Sequence, residues 1–268
     1  MIKLHRVADG SKFHISRIDA DSTSGFTGGK HKTAKAFADL NRRLHALQGM
    51  LWAEHRRRVL VVLQGMDTSG KDGTISHVFE GVNPLGVKVT SWKPPDSREL
   101  DHDFLWRIHA RVPAAGELGI FNRSHYESVL VERVKQLVPA KVWKARYAQI
   151  RDFERLLTES GTTILKFFLF IDRDEQRRRL EERLADPEKR WKFSLGDLED
   201  RQHWDEFMAA YEEAIRRTST DFAPWYVVPA NRKWYRNLVV ASVLVRTLES
   251  MRLHHQEPAL DLSKIQIE

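Results

Sequence analysis

The sequence predicts an α/β fold, a parallel β-sheet with helices on both faces, and three observations predict it. Strand-like and helix-like stretches alternate almost throughout, the pattern of parallel strands joined by helical crossovers. The apolar run Val59–Leu63 passes through Gln64 into Gly65-Met66-Asp67-Thr68-Ser69-Gly70-Lys71, a G-x-x-x-x-G-K loop, and a helix can open at Asp72. The other polar motifs fall just beyond predicted strands, the edge at which ligands of such sheets collect.

The loop points to phosphate chemistry. Its glycines let backbone N–H groups wrap a chain of phosphates, the following helix turns its N-terminal dipole towards them, and Lys71 adds a point charge. One position departs from the common pattern: Asp72 stands where Ser or Thr usually gives Mg²⁺ a hydroxyl. A carboxylate, Asp67, lies inside the loop instead. A bare carboxylate beside phosphates is repelled unless a cation lies between them, so Asp67 is the candidate metal ligand and Mg²⁺ the candidate cofactor. Gly65, Met66, Thr68, Ser69, Gly70, Asp72 and Gly73 complete the candidate phosphate site.

The 268 residues suffice for one large α/β domain or a domain with an inserted lid. No stretch approaches the roughly 18 apolar residues of a membrane span. The opening MIKLHRVADG has no signal-like apolar run, so a cytoplasmic location is expected. The absence of cysteine excludes disulfides and thiolate metal sites. A formal charge of +7 and a pI near 9.6 suggest a polyanionic partner: nucleic acid, an anionic surface or a phosphate-rich substrate.

In chain order, residues 1–35 read as an irregular basic arm carrying Lys12, Arg17, Lys30, Lys32 and Lys35. From Ala36, Leu40, Leu44, Leu47 and Leu51 recur at helical spacing, and Arg56-Arg57-Arg58 reads as a solvated helix end. The phosphate loop and its helix follow, to about Gly81. A second strand spans Val87 to Trp92 and stops at Pro94-Pro95. A helix capped by Asp96 or Ser97 is expected to run to about Arg111, with Leu100, Phe104 and Ile108 on one face. Leu118 to Phe121 is a third strand, followed by helical stretches over 125–137 and 144–158, with Gly161 suited to stop the second. Thr162 to Ile171 reads as a central strand. Residues 174–217 are dense in Arg, Glu and Asp and read as a helical lid, with Pro187 between two helical patterns. Trp225 to Val228 is the last strand. A helix with Leu238, Ala241, Val245 and Leu248 on one face closes the domain of residues 36–255, and 256–268 form a loosely held tail.

Further candidates lie at the same sheet edge. Trp92, Lys93 and Asp96 follow the second strand, where a nucleotide or its phosphates would arrive, and Trp92 suits either a base stack or the core. Asn122 stands where an acidic residue usually ends a neighbouring strand to hold Mg²⁺, Arg123 can grip phosphate with two N–H groups, and Glu127 is a second carboxylate nearby. Arg177, Arg178, Arg179 and Arg183 share one helical run, suited to neutralising a transferring phosphoryl group from a mobile lid.

Three motifs, Gly65–Gly73, Phe121–Glu127 and Asp186–Ser194, extended by Trp225–Ala230 and Trp234-Tyr235, resemble family-2 polyphosphate kinases over about residues 36–250. The resemblance implies a P-loop kinase core similar to thymidylate kinase with a helical lid, and Mg²⁺-dependent phosphoryl transfer between inorganic polyphosphate and a nucleotide. It matches the family's loop carboxylate to Asp67, its loop lysine to Lys71 and its lid arginines to Arg178 and Arg183. The Asn122-Arg123-Ser124 form is similar to the subgroup that accepts both nucleoside mono- and diphosphates, AMP and ADP. The resemblance also implies a homo-oligomer. No nucleic-acid or membrane partner is expected. The competing readings are an ATP-dependent small-molecule or nucleotide kinase of the thymidylate kinase type and, in another class, a nucleic-acid-binding NTPase. The latter lacks a helicase-like second motif set here and would want aromatic residues beside a basic groove.

Overall fold

The buried strand that leads into the loop is the middle of the molecule. In a computed structural model describing residues 3–254, β1 (Arg58–Gln64) has every residue after Arg58 buried, as suits a parallel strand covered on both faces. It pairs on one side with β3 (Leu118–Asn122) and on the other with β4 (Thr162–Phe170). The outer strands are β2 (Val87–Ser91), on β3, and β5 (Trp225–Pro229), on β4. All pairs are parallel and the order is β2-β3-β1-β4-β5. The chain therefore leaves β1 for one side of the sheet and later returns to fill the other, and the crevice of such a switch point opens at the C-terminal end of β1.

Helices cover the sheet in two layers. On one, α1 (Gly29–Glu54) and α2 (Lys71–Val78) pack against α10 (Lys233–Ser250), whose Leu238, Val239, Ala241, Leu244, Val245 and Leu248 are all buried. On the other, α6 (Ala140–Glu159) packs on β4 and against α9 (Trp204–Thr218), with the single turn α5 (Val131–Val134) beside them. Between sheet and helices on this side lies a buried polar knot. The Lys166 ammonium on β4 donates to Glu154 at 2.6 Å, to the Tyr126 hydroxyl at 3.0 Å and to the Thr218 carbonyl at 2.7 Å. Removing Lys166 or Glu154 alone would leave a buried charge without its ion-pair partner, a loss of about 3–5 kcal/mol.

Several expectations change. The first helix starts at Gly29, not Ala36. Among the described residues the segment before it has two 3₁₀ turns as its only helical structure, yet it docks: Val7 N–H donates to the Trp225 carbonyl and Val227 N–H to the His5 carbonyl, capping the free edge of β5. In the run Arg56-Arg57-Arg58, whose last residue opens β1, Arg57 is only part-exposed: it pairs with buried Glu54 at 2.7 Å and reaches the Met251 carbonyl. The helix expected from Asp96 to Arg111 is two single turns, α3 (Ser97–Leu100) and α4 (Trp106–His109). The stretch 125–137 is likewise broken into a 3₁₀ turn, His125–Ser128, and α5. Pro139 sets the start of α6 at Ala140 rather than 144. The largest change is in the lid. Only α7 (Arg173–Ala185), a 3₁₀ turn (Arg190–Lys192) and α8 (Leu195–Gln202) form it. α9 belongs to the core, because Phe207, Met208, Tyr211, Ala214 and Ile215 make a buried helical stripe beneath the charged composition. The tail expected from Gln256 lies outside the described residues.

Candidate active site

A cleft of about 720 Å³ runs along the C-terminal edge of the sheet, floored by the loop after β1 and roofed by the lid. The loop holds its shape through positive φ angles at Gly65 (153°), Thr68 (65°) and Gly70 (98°). A Cβ at Gly65 would lie 2.6 Å from Ser69 Oγ and 2.7 Å from the Leu169 carbonyl oxygen, so only glycine fits the turn. Lys71, at the first turn of α2, is buried, and its Nζ donates to the Gly65 carbonyl at 2.7 Å and more weakly to that of Met66. Burial pulls its pKa down, and the neighbouring Asp67 only partly opposes this.

Asp67 faces Arg123, which donates to Asp67 Oδ1 at 2.7 Å. Burial works against the Asp67 charge, but Lys71 and Arg123 outweigh it and hold the carboxyl below its usual range. Arg123 follows β3 with a left-handed φ of 64°, its backbone N–H bonded to the Leu63 carbonyl, which turns the residue back towards β1. Its guanidinium is partly buried, which works against its charge, but the Glu127 and Asp67 carboxylates raise its pKa. Glu127 lies behind this pair, outside the cleft lining, and burial pushes its carboxyl up despite Arg123 and Lys71. Asn122 Nδ2 donates to Asp72 Oδ1 at 2.6 Å, joining the end of β3 to the start of α2.

Of the candidate residues, Asp67, Thr68, Gly70, Lys71, Asp72, Gly73, Trp92, Lys93, Asn122, Arg123 and Arg183 line the cleft. Gly65 and Ser69 shape the loop from beneath, and the Met66 side chain is in the core. Besides Glu127, two candidates are elsewhere. Asp96 caps α3, accepting from Glu99 N–H in a reciprocal capping box. Arg178 is exposed on α7 and paired with Glu175 and Glu182, away from the cleft lining.

Its neighbour Arg179 is the arginine that points inward. From α7 it donates to the carbonyls of Thr68, Ser69, Ala230 and Asn231, clipping the root of the lid to the phosphate loop and to the end of β5. Arg183 also faces the cleft, donating to Asp197 Oδ2 at 2.8 Å and to the Lys192 carbonyl at 2.9 Å. The sequence reading missed Asp197, Lys233 and Arg236. Buried Arg236 packs directly under Gly70 and donates to the Ser69 carbonyl at 3.1 Å. Burial, with Arg179 close by, pulls its pKa down to about 9. A signal for it existed: an arginine interrupting the apolar face of a helix that begins at the ligand edge of the sheet.

The cleft is strongly basic. Lys71, Lys93, Arg123, Arg179, Arg183, Lys189, Lys192, Lys233 and Arg236 face Asp67, Asp72, Glu182 and Asp197. Among the described residues no three His, Asp or Glu side chains converge to hold a metal by themselves. The donor set at the loop is the Asp67 carboxylate with the Asn122 side-chain oxygen close to the same edge. Such hard oxygens fit a small divalent cation that takes most of its remaining ligands from phosphates and water.

Comparison with known proteins agrees with this geometry. The family model of polyphosphate kinase 2 matches residues 28–256. The chain is 58% identical to the AMP/ADP-polyphosphate phosphotransferase of Meiothermus ruber, with all of both chains covered. It is 42% identical to the ADP-polyphosphate phosphotransferase of Rhodopseudomonas palustris, covering 95% of this chain and 92% of that one. The crystal structure of polyphosphate kinase 2 from Arthrobacter aurescens is similar with a TM-score of 0.94 at 46% identity, covering 97% of this chain and 93% of that one.

Proposed function

The chain belongs to the polyphosphate kinase 2 family, and on that premise we infer that it transfers phosphoryl groups between inorganic polyphosphate and nucleotides at the Gly65–Lys71 loop. The observation that carries the assignment of the site is the cleft itself. It runs from the ends of β2 and β3 across the phosphate loop to α7 and the start of α10, with cations on either side of the loop, room and charge for two polyanions meeting end to end. The β5 side offers Arg179, Lys233 and Arg236, the chemistry of a phosphate chain. The β2–β3 side offers Ser91, Trp92, Lys93 and Asn122, a mixture that suits a nucleotide. An ATP-dependent kinase of the thymidylate type is not favoured, since the full-length relatives are named for polyphosphate.

Phosphoryl transfer needs little covalent work from the protein, so positioning and electrostatics carry it. Lys71 and the loop N–H groups hold the bridging and transferred phosphates, and Arg123 and Arg183 neutralise the charge that spreads over the transferred group. Transfer of this kind uses a divalent metal, Mg²⁺ in our reading, held by Asp67 and phosphate oxygens with Asn122 in support. When bound it supplies charge neutralisation and a fixed template for those oxygens. Both AMP and ADP serve as acceptors in this reading, and the reaction is reversible. The name of the Meiothermus relative supports the pair of acceptors, as does the neutral Asn122 amide, which satisfies Asp72 without adding a second anion in the acceptor's path. The reading also takes the enzyme to be a cytoplasmic homo-oligomer working without nucleic acid or membrane. Among the described residues no helix is long and apolar enough to cross a membrane.

Incubation with Mg²⁺, long-chain polyphosphate and either AMP or ADP, followed by chromatography of the nucleotides, is expected to yield ADP and ATP. Failure to form ATP from ADP would refute the reading.

A further inference from the structure

Two aromatic rings line the cleft, Trp92 and Trp191, and they differ in what they have left to offer. Trp92 is already packed. The Arg107 guanidinium lies over its ring at 4.8 Å, and the ring meets buried Phe121 in a T-shaped contact at 5.2 Å. Trp191 is 78% exposed, the most exposed of the large hydrophobic side chains among the described residues. It sits on the 3₁₀ turn between α7 and α8, and its ring contact among the described residues is with its own neighbour, the Lys192 ammonium at 5.0 Å.

An indole held open to water at the mouth of a binding cleft leaves a large apolar surface unburied. The occupant has to suit both ring and surroundings. The face of an aromatic ring is electronegative, so it repels phosphate oxygens and cannot serve the polyphosphate chain. A nucleobase, with a π-face of its own, stacks on it. The cations around the ring fit the rest of the same molecule. Lys189 and Lys192 flank Trp191 along the lid, line the cleft with it, and Lys192 Nζ comes within 4.0 Å of Asp72 at the loop. One short turn thus offers an aromatic face and phosphate-binding charge two residues apart or less.

We propose that Trp191 is the base-stacking residue of the lid: the nucleobase lies on its indole while the adjacent lysines and the loop take the phosphates. This rests on the reading of the enzyme as a polyphosphate:nucleotide phosphotransferase, and it specifies how the nucleotide is held. Recognition by a face instead of by base edges makes the enzyme tolerant of base identity, with purines preferred over pyrimidines for their larger stacking surface. It also assigns to the lid the task of telling nucleotide from polyphosphate.

The test is steady-state kinetics with ADP varied at saturating polyphosphate, then the reverse, on wild type, Trp191→Ala and Trp191→Phe. Loss of the stack is expected to raise the KM for ADP about tenfold or more in Trp191→Ala, as base–aromatic stacking energies imply. The KM for polyphosphate and the melting temperature should stay near wild type, and Trp191→Phe should restore ADP affinity. An independent binding readout is tryptophan fluorescence: ADP should quench it in wild type, and that quench should vanish in Trp191→Phe although ADP still binds. Equal effects on both substrates, or an unchanged KM for ADP, would overturn the proposal. So would an unchanged KM for ADP with a fall in molecular mass by light scattering in Trp191→Ala, which would make the ring and its exposed neighbour Leu195 a contact between copies. Wild-type protein that moves no phosphate from polyphosphate to ADP would instead refute the functional reading, and the fluorescence titration would still decide whether Trp191 meets the base.

Discussion

Asp197 shows what a single side chain of the lid does to the whole. It lines the cleft, accepts from Arg183 and has its pKa raised from 3.8 to about 6 by burial and by the charge of Asp67. A carboxyl that binds its proton more tightly in the folded state favours folding when protonated. Its contribution to stability is therefore present in acid and is lost as the pH rises through about 6, above which the buried charge is carried at a cost. Asp197→Asn is expected to melt higher than wild type at about pH 7.5, with the advantage shrinking towards about pH 4. Melting curves across that range check it, and a variant less stable by the same amount at every pH would contradict it. Nothing in the sequence marks Asp197, which lies in a segment dense in acids and bases. Asp67 and Lys71 were legible because a glycine loop after an apolar strand dictates their surroundings. Asp197 acquires its surroundings only from the fold.

The element whose phase the sequence left open is α7. Arg177, Arg178 and Arg179 are consecutive, so helical periodicity alone gives no reason to prefer one. Arg179 and Arg183 are four residues apart and share a face, whereas Arg178 lies about 100° around the helix from Arg179. Arg179 and Arg183 accordingly face the cleft, and Arg178 is spent on Glu175 and Glu182 at the surface. Arg178→Ala is expected to keep turnover within about threefold of wild type, since exposed pairs contribute little. Arg183→Ala should lose on the order of a hundredfold or more, the scale of removing a donor to transition-state charge. Turnover under saturating substrates measures both, and equal damage from the two would contradict the assignment. α9 teaches the complementary lesson: its charged composition read as lid, but the stripe Phe207, Met208, Tyr211, Ala214, Ile215 was present in the sequence and outweighs it once the helix meets β4 and α6.

For the molecule as a whole, the inner strands were visible because parallel strands buried on both faces are written as continuous apolar runs, and the more exposed edge strand β2 because Pro94-Pro95 closes it off. Their order was not, because nothing local records that β3 inserts between β2 and β1. That order decides function. It sets Leu63 beside Asn122 and Gln64 beside Phe168, so the loop, Arg123 and the lid root converge at one switch point. The formal charge of +7, read at first as a general appetite for polyanions, turns out to be concentrated where arginines and lysines crowd a single cleft. Phosphoryl transfer from polyphosphate at the Gly65–Lys71 loop is the central claim, and ³¹P NMR of polyphosphate, ADP and Mg²⁺ with wild type, Asp67→Asn and Lys71→Ala tests it most directly. Wild type should convert polyphosphate signal into the γ-phosphate of ATP, and both variants should retain the wild-type melting transition while nearly losing that conversion. ATP formed at the wild-type rate by either folded variant would contradict the claim.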